Sequence, residues 1–167
     1  MFDFQVEAEA LLALKESFRR HASGVSVITL AGPEGEPVGF TATSMTSLGA
    51  NPPLASFNVA SGSSTWPKLC AAEYVAIHTL GTNNLELAKR MAADHTQRFL
   101  ADDWAFGPYG VPILQGTTSA LICKIREIHA VEKNAVVIVD VLEGLVGHEE
   151  PGLLYHQRNY VEVGKTL

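Results

Sequence analysis

The sequence predicts a mainly β protein, an antiparallel barrel with helices at its periphery. Two observations predict it. About six or seven short β-branched runs are separated by Gly, Pro and Asn turns, and the few helical patterns between them follow no strict strand–helix–strand alternation. There is also no repeat, low-complexity tract or linker, so the 167 residues read as one domain, 1–167. A helix is expected over about residues 6–22 and the barrel over about 24–163.

Along the chain, Leu11, Leu14 and Phe18 recur at helical spacing opposite Lys15, Arg19 and Arg20, and Gly24 is read as the C-terminal cap of that helix. Val25 to Leu30 and Val38 to Thr43 are strands joined by the turn Gly32 to Pro37. Pro52-Pro53 then breaks the chain before a strand over Leu54 to Val59. Ser63-Ser64-Thr65-Trp66-Pro67 opens a short helix through Ala72, Tyr74 to Leu80 is a strand, and Asn83-Asn84 caps a helix that groups Leu85, Ala88 and Met91. Asp94 to Gln115 reads as irregular. Ser119 to Val131 and Ala135 to Val146 alternate cleanly and read as two long antiparallel partners joined at Glu132-Lys133-Asn134.

Composition excludes several classes of function. With 47% hydrophobic and only 18% charged residues the chain can fill a core. A net charge of -6 with 12 scattered Lys and Arg does not suit a nucleic-acid binder. Cys70 and Cys123 lie far apart, and the six histidines form no close pair, so no metal site is expected. The acidic N-terminus and the lack of a long apolar run predict a cytoplasmic protein away from the membrane. No glycine-rich phosphate loop of the G-x-G-x-x-G or G-x-x-x-x-G-K-[ST] type is present, nor a nucleophile elbow.

What remains is a set of strand ends rich in hydroxyls and amides: Thr41 to Ser47, Asn58 with Ser61 to Thr65, and Thr79 to Asn84. A helix N-terminus at Ser63-Ser64-Thr65 can receive a phosphate, although capping is the commoner role. The fork of Arg98, beside Phe99, suits a phosphate too, although a surface salt bridge is its commoner fate. His156, between Tyr155 and Gln157, reads either as a polar pocket wall or as a histidine satisfied at a strand start. Spacing alone thus gives a β-barrel with an anion-accepting edge.

The order and wording of the motifs say more. Phe18-Arg19-Arg20-His21-Ala22-Ser23-Gly24-Val25-Ser26-Val27-Ile28-Thr29, then Val38-Gly39-Phe40-Thr41-Ala42-Thr43-Ser44-Met45-Thr46-Ser47-Leu48 with Asn51-Pro52-Pro53-Leu54, then Ser63-Ser64-Thr65-Trp66-Pro67, Arg98-Phe99 and finally Leu153 to Tyr160 resemble the short-chain flavin reductases, the reductase partners of two-component flavin monooxygenases. The resemblance implies an FMN-binding split barrel acting as a homodimer. Thr41, Ala42, Thr43 and Ser44 would then lie along the isoalloxazine edge. Ser47, Ser63, Ser64 and Thr65 would reach the ribityl chain and phosphate, with Asn58 beside them, and Arg98-Phe99 would close the phosphate end. FMN or FAD would be the flavin and NADH or NADPH the hydride donor, with no catalytic dyad required.

The chain departs from the family where Gly-Asp-His usually turns between the long C-terminal strands. Here Glu132-Lys133-Asn134 stands instead, so Asn134, with His156, is the residue in question on the nicotinamide side. His78 likewise stands where the family often has asparagine. These departures keep two alternatives open: a flavin carrier or sensor with weak reductase activity, and a split barrel that binds haem or oxidises a substrate with bound flavin.

Overall fold

The computed structural model describes residues 9–167. The chain runs α1 (Ala10–Arg20), β1 (Ser23–Gly24), β2 (Ser26–Ala31), β3 (Pro37–Ala42), β4 (Thr46–Ala50), β5 (Pro53–Ala60), α2 (Trp66–Ala71), β6 (Tyr74–Thr79), α3 (Leu85–Ala92), β7 (Trp104–Phe106), β8 (Pro112–Leu114), β9 (Ser119–Val131), β10 (Asn134–Val146), β11 (Leu153–His156) and β12 (Asn159–Glu162). Seven strands form one antiparallel sheet in the order β3-β2-β6-β9-β10-β5-β4. The sheet rolls back so that β3 approaches β5 without a backbone ladder between them. The predicted mainly β architecture with peripheral helices is the observed one.

Its core follows from alternation. Ile28 and Leu30 on β2, Phe57 and Val59 on β5, Val75 and Ile77 on β6, and Val137 and Val139 on β10 meet inside the roll, nearly all without solvent exposure. The β9–β10 hairpin is the spine. It pairs Val131 with Asn134 at the tip and Ser119 with Val146 at the base. Register shifts at Ile138/Val139 and Val141/Glu143 are bulges, and each extra residue bends the strand toward closure. A second apolar cluster, with Val27, Leu87, Met91 and Leu114, holds α3 under the sheet.

Several local expectations change. The first helix spans Ala10–Arg20, and the predicted start at residues 6–8 lies outside the described residues. Leu11, Leu14 and Phe18 are all exposed. Gly24 is no cap: the helix ends at His21, whose N–H donates to the Ser17 carbonyl, and Gly24 pairs with Leu154 in β1. That pairing draws the N-terminal helix to the C-terminal hairpin, since Ser23 stands opposite Tyr155. The segment after Ala42 forms a further strand, β4, whose residues are all exposed, so it carries no burial alternation to reveal it. The irregular stretch holds the β7–β8 ribbon.

His78 occupies the middle of this construction. It is fully buried; its Nδ1–H donates to the Val27 carbonyl at 3.2 Å and its Nε2 accepts the Leu114 N–H at 3.0 Å. An imidazole therefore bridges β2 and β8 with one donor and one acceptor, and neither ring nitrogen is left unpartnered. Asn84 also departs from simple capping. Its side chain accepts from the Gly81 N–H, closing a capping box on the 3-10 turn Thr82–Asn84 that leads into α3, and also donates to the Gly116 carbonyl, which ties in a second loop.

Candidate functional site

The hydroxyl-rich end of β3 runs along a line of connected hollows. Thr41 donates its hydroxyl to the Ala88 carbonyl at 3.0 Å, so that side chain fixes β3 to α3. Ala42 packs into the core, which leaves only its backbone for a ligand. Thr43 is exposed, and the Ser44 hydroxyl accepts the Asn58 backbone N–H at 2.9 Å. This bond holds the β3–β4 connection against β5 just before their ladder begins at Thr46 and Ser56. Thr43, Ser44, Met45, Thr46 and Asn58 form one wall of a cavity of about 670 Å³.

The opposite wall is Phe18, His21, Ser23 and Tyr155. The pairing of β1 with β11, with the bonds of Gln157 and His156 to the Arg19 and Arg20 carbonyls, brings residues so distant in sequence to one place, so nothing in local spacing marks them.

Beyond Asn58 the hollow continues into a second cavity of about 200 Å³, lined by Thr41, Asn58, Ser63, Ser64, Thr65 and Arg98 among others. Here capping fails as an account of the hydroxyls. Thr65 precedes α2 but makes no side-chain cap bond, and α2 spans only Trp66–Ala71. The Ser63 Oγ is buried with no hydrogen-bond partner among the described residues, which is costly unless something fills the cavity beside it. A third cavity of about 240 Å³ shares Ser64, Thr65 and Arg98 and adds Lys68, His95 and Phe99.

Arg98 is placed with care. Nη1 donates to the Gly39 carbonyl at 2.6 Å, and Nε and Nη2 donate to the Ala93 carbonyl at 3.1 and 2.8 Å. Among the described residues no salt bridge takes it, against the commoner fate of such an arginine. Burial lowers its pKa from the ordinary value, with Asp94 opposing the shift, and the group keeps its charge. Its own carbonyl is held by Arg90 Nε, and Arg90 in turn grips Asp103. Phe99 leans on Gly39 so closely that a Cβ there would stand 2.9 Å from its ring, and Trp104 meets Phe99 edge-on with ring centroids 5.2 Å apart.

The structure thus brings together Thr41, Thr43, Ser44, Asn58, Ser63, Ser64, Thr65, Arg98 and Phe99. Ser47 stands apart, exposed on β4. Asn134 is exposed at the hairpin tip opposite Ala60, two register positions from Asn58. Its neighbour Lys133 accepts the Ser61 N–H at 2.9 Å, so the tip anchors the Ser61–Thr65 loop. The His156 Nε2 is engaged by the Arg20 carbonyl at 3.1 Å, and it is Tyr155 that faces the cavity. Burial, with a smaller push from Asp140, raises the Cys123 thiol to about 12, so it stays protonated and takes no nucleophilic part.

A flavin mononucleotide fits this set. It has a planar polar edge for the Thr43–Ser44 backbone and a terminal phosphate for the unpartnered Ser63 hydroxyl and the Arg98 fork.

The chain matches the family description "Flavin reductase like domain" over residues 18–164. It is 40% identical over 151 residues to a protein of Rhodococcus qingshengii named NADH:FMN oxidoreductase, covering 87% of this chain and 78% of that one. It is 27% identical over 153 residues to the reductase component of a flavin-dependent trigonelline monooxygenase from Acinetobacter baylyi, covering 92% of this chain and 49% of that one. The crystal structure of a flavin reductase domain protein from Arthrobacter superposes with a TM-score of 0.90 at 46% identity, covering 93% of this chain and 97% of its own.

Proposed function

This chain belongs to the flavin reductase like domain family, and we propose that it moves a hydride from NADH or NADPH to FMN or FAD and passes the reduced flavin to a separate monooxygenase. The observation that carries the reading is the buried, unpartnered Ser63 hydroxyl in a cavity walled by Arg98, in line with the Thr43–Ser44 edge. A bound flavin would supply the redox chemistry, as the acceptor of the hydride. The protein's part is binding and orientation. Arg98, Ser63, Ser64 and Thr65 hold the phosphate, the Thr43–Ser44 backbone fixes the ring edge, and the roughly 670 Å³ hollow leaves room for a nicotinamide against it. The named relatives support both the flavin chemistry and the oxygenase partner.

The expected result is steady oxidation of NADH or NADPH in air that depends on added flavin, followed at the nicotinamide absorbance. Flavin binding without such consumption would replace this reading with that of a carrier or sensor, and a Soret band would point to haem. Because Asn134 cannot carry charge where the family has histidine, Asn134→His is expected to raise turnover with NADH by several-fold, about the value of one added polar contact. No gain would remove Asn134 from the account.

The working form is a homodimer, as one domain per chain. Every residue of the edge strand β4 is exposed, and Leu48, Leu142, Leu145 and Val146 leave apolar surface on β4 and the distal half of β10, which a second copy would cover. Sedimentation velocity should return a dimer, and a monomer at assay concentration would overturn that assignment. No described helix is long and apolar enough to cross a membrane. Cys70 and Cys123 are free thiols, in keeping with a reducing cytoplasm.

A further inference from the structure

The corner that presents Arg98 and Phe99 is gripped from outside the hollows. Arg90, in the last turn of α3, donates Nε–H to the Arg98 carbonyl at 3.1 Å and gives its Nη2 to both carboxylate oxygens of Asp103. Trp104 donates its indole N–H to the Phe99 carbonyl, the next one along, at 3.1 Å. Two successive carbonyls of the corner are therefore fixed, one from α3 and one from β7. The β7–β8 ribbon is anchored in turn. Trp104 stands opposite Leu114, whose N–H is bonded to His78, and the Asp103 carbonyl accepts the Gln115 N–H at 2.8 Å.

An ordinary surface ion pair does not account for Arg90. Lys89, paired with Glu86, already complements the dipole of α3 from its last turn. The Arg90 side chain is only 24% exposed and that of Asp103 37%, and neither residue lines the three hollows given to flavin. The guanidinium divides its donors between a carboxylate and the main chain of the phosphate-binding arginine. Asp103 cancels its charge, so the pair stiffens the corner without placing a further net charge beside Arg98. The same helix holds the other end of the site, since the Ala88 carbonyl accepts the Thr41 hydroxyl at 3.0 Å. Ala88 and Arg90 thus tie β3 at the ring edge and Arg98 at the phosphate end to one short rigid element.

We infer that Arg90, braced by Asp103, is a positioning residue for the flavin phosphate: it sets where the Arg98 guanidinium stands, and with that the preference of the site for a phosphorylated flavin over riboflavin. The inference rests on the reading that places the flavin phosphate at Arg98. Without Arg90 the segment 93–104 loses one of its carbonyl anchors, and Arg98 must be ordered anew at each binding event. That cost falls on the phosphate contact and leaves the ring contacts alone.

The test uses the full chain and Arg90→Lys, with Asp103→Asn as a second variant that decides by the same readouts if the first does not fold. Lysine keeps a charge for Asp103, but a single ammonium lacks the fork that meets carboxylate and carbonyl together. FMN affinity, read by flavin fluorescence, is expected to fall about tenfold in Arg90→Lys and KM for FMN to rise in step, while riboflavin affinity and kcat at saturating FMN hold. Asp103→Asn should give a smaller loss of the same kind. In an Arg98→Ala background Arg90→Lys should leave FMN affinity where it is, because the effect passes through Arg98, while Tm still falls. Unchanged FMN affinity, equal weakening of FMN and riboflavin, or an FMN loss that persists without Arg98 overturns the inference. If Arg98→Ala alone leaves FMN affinity unaltered, the placement of the phosphate fails and this inference falls with it. A wild type that prefers FMN but oxidises no NADH removes only the reductase reading.

Discussion

Arg98→Ala should weaken FMN binding by about 10- to 100-fold, the value of a charge-assisted contact to phosphate. The reason is preorganisation. The guanidinium is already oriented by the Gly39 and Ala93 carbonyls, so little side-chain freedom is lost when phosphate arrives. Those same bonds pin the Phe99 loop to β3, and the substitution should therefore lower Tm as well. The two roles separate in Arg98→Lys, which keeps charge but cannot span both carbonyls, and which should recover part of the affinity while Tm stays low. Titration of FMN by fluorescence quenching reads the first quantity and thermal melting the second. A lowered Tm with unaltered FMN affinity would reduce Arg98 to a strut.

His78→Ala should cost about 2–4 kcal/mol of stability, because it opens a cavity at a fully buried position and leaves the Val27 carbonyl and Leu114 N–H without partners. The wild-type imidazole should also impose a pH dependence. Its Nε2 already accepts an N–H, so a second proton has no acceptor to meet, and burial lowers the pKa from 6.5 to about 4, with the Val27 carbonyl opposing. Between those values the unfolded chain binds a proton that the folded chain refuses. The contribution is therefore complete above pH 6.5 and falls by about 3 kcal/mol as pH drops toward 4. Urea midpoints of wild type and His78→Gln, compared at intervals across that window, should converge as pH falls. Parallel curves would show that His78 is not what titrates.

These two residues illustrate what sequence can disclose. Arg98 was legible as a candidate phosphate ligand from its type and its neighbour Phe99, but that no described residue takes it in a salt bridge could only come from the fold. His78 was visible only as a departure from a family asparagine. Its double bond to β2 and β8 depends on a ribbon inside a stretch that had no readable period. The β9–β10 hairpin was legible because alternation survives over 13 residues in each strand. β4 was not, because every residue on it is exposed in one chain. In the site, Thr43, Ser44 and Ser63 stand close in sequence to their strand ends, whereas Phe18 and Tyr155 meet through the pairing of Ser23 with Tyr155, a contact between opposite ends of the chain.

The hairpin tip shows how the molecule separates architecture from chemistry. Glu132 adopts φ 53, a left-handed conformation that glycine would hold without penalty and that costs another residue about 1–2 kcal/mol. The turn keeps its shape all the same, since the ladder from Val131 and Asn134 down to Ser119 and Val146 dictates the register from below. A tip whose geometry is imposed by its stem is free to vary in composition. Glu132, Lys133 and Asn134 can therefore change in identity while the barrel that carries them is left untouched.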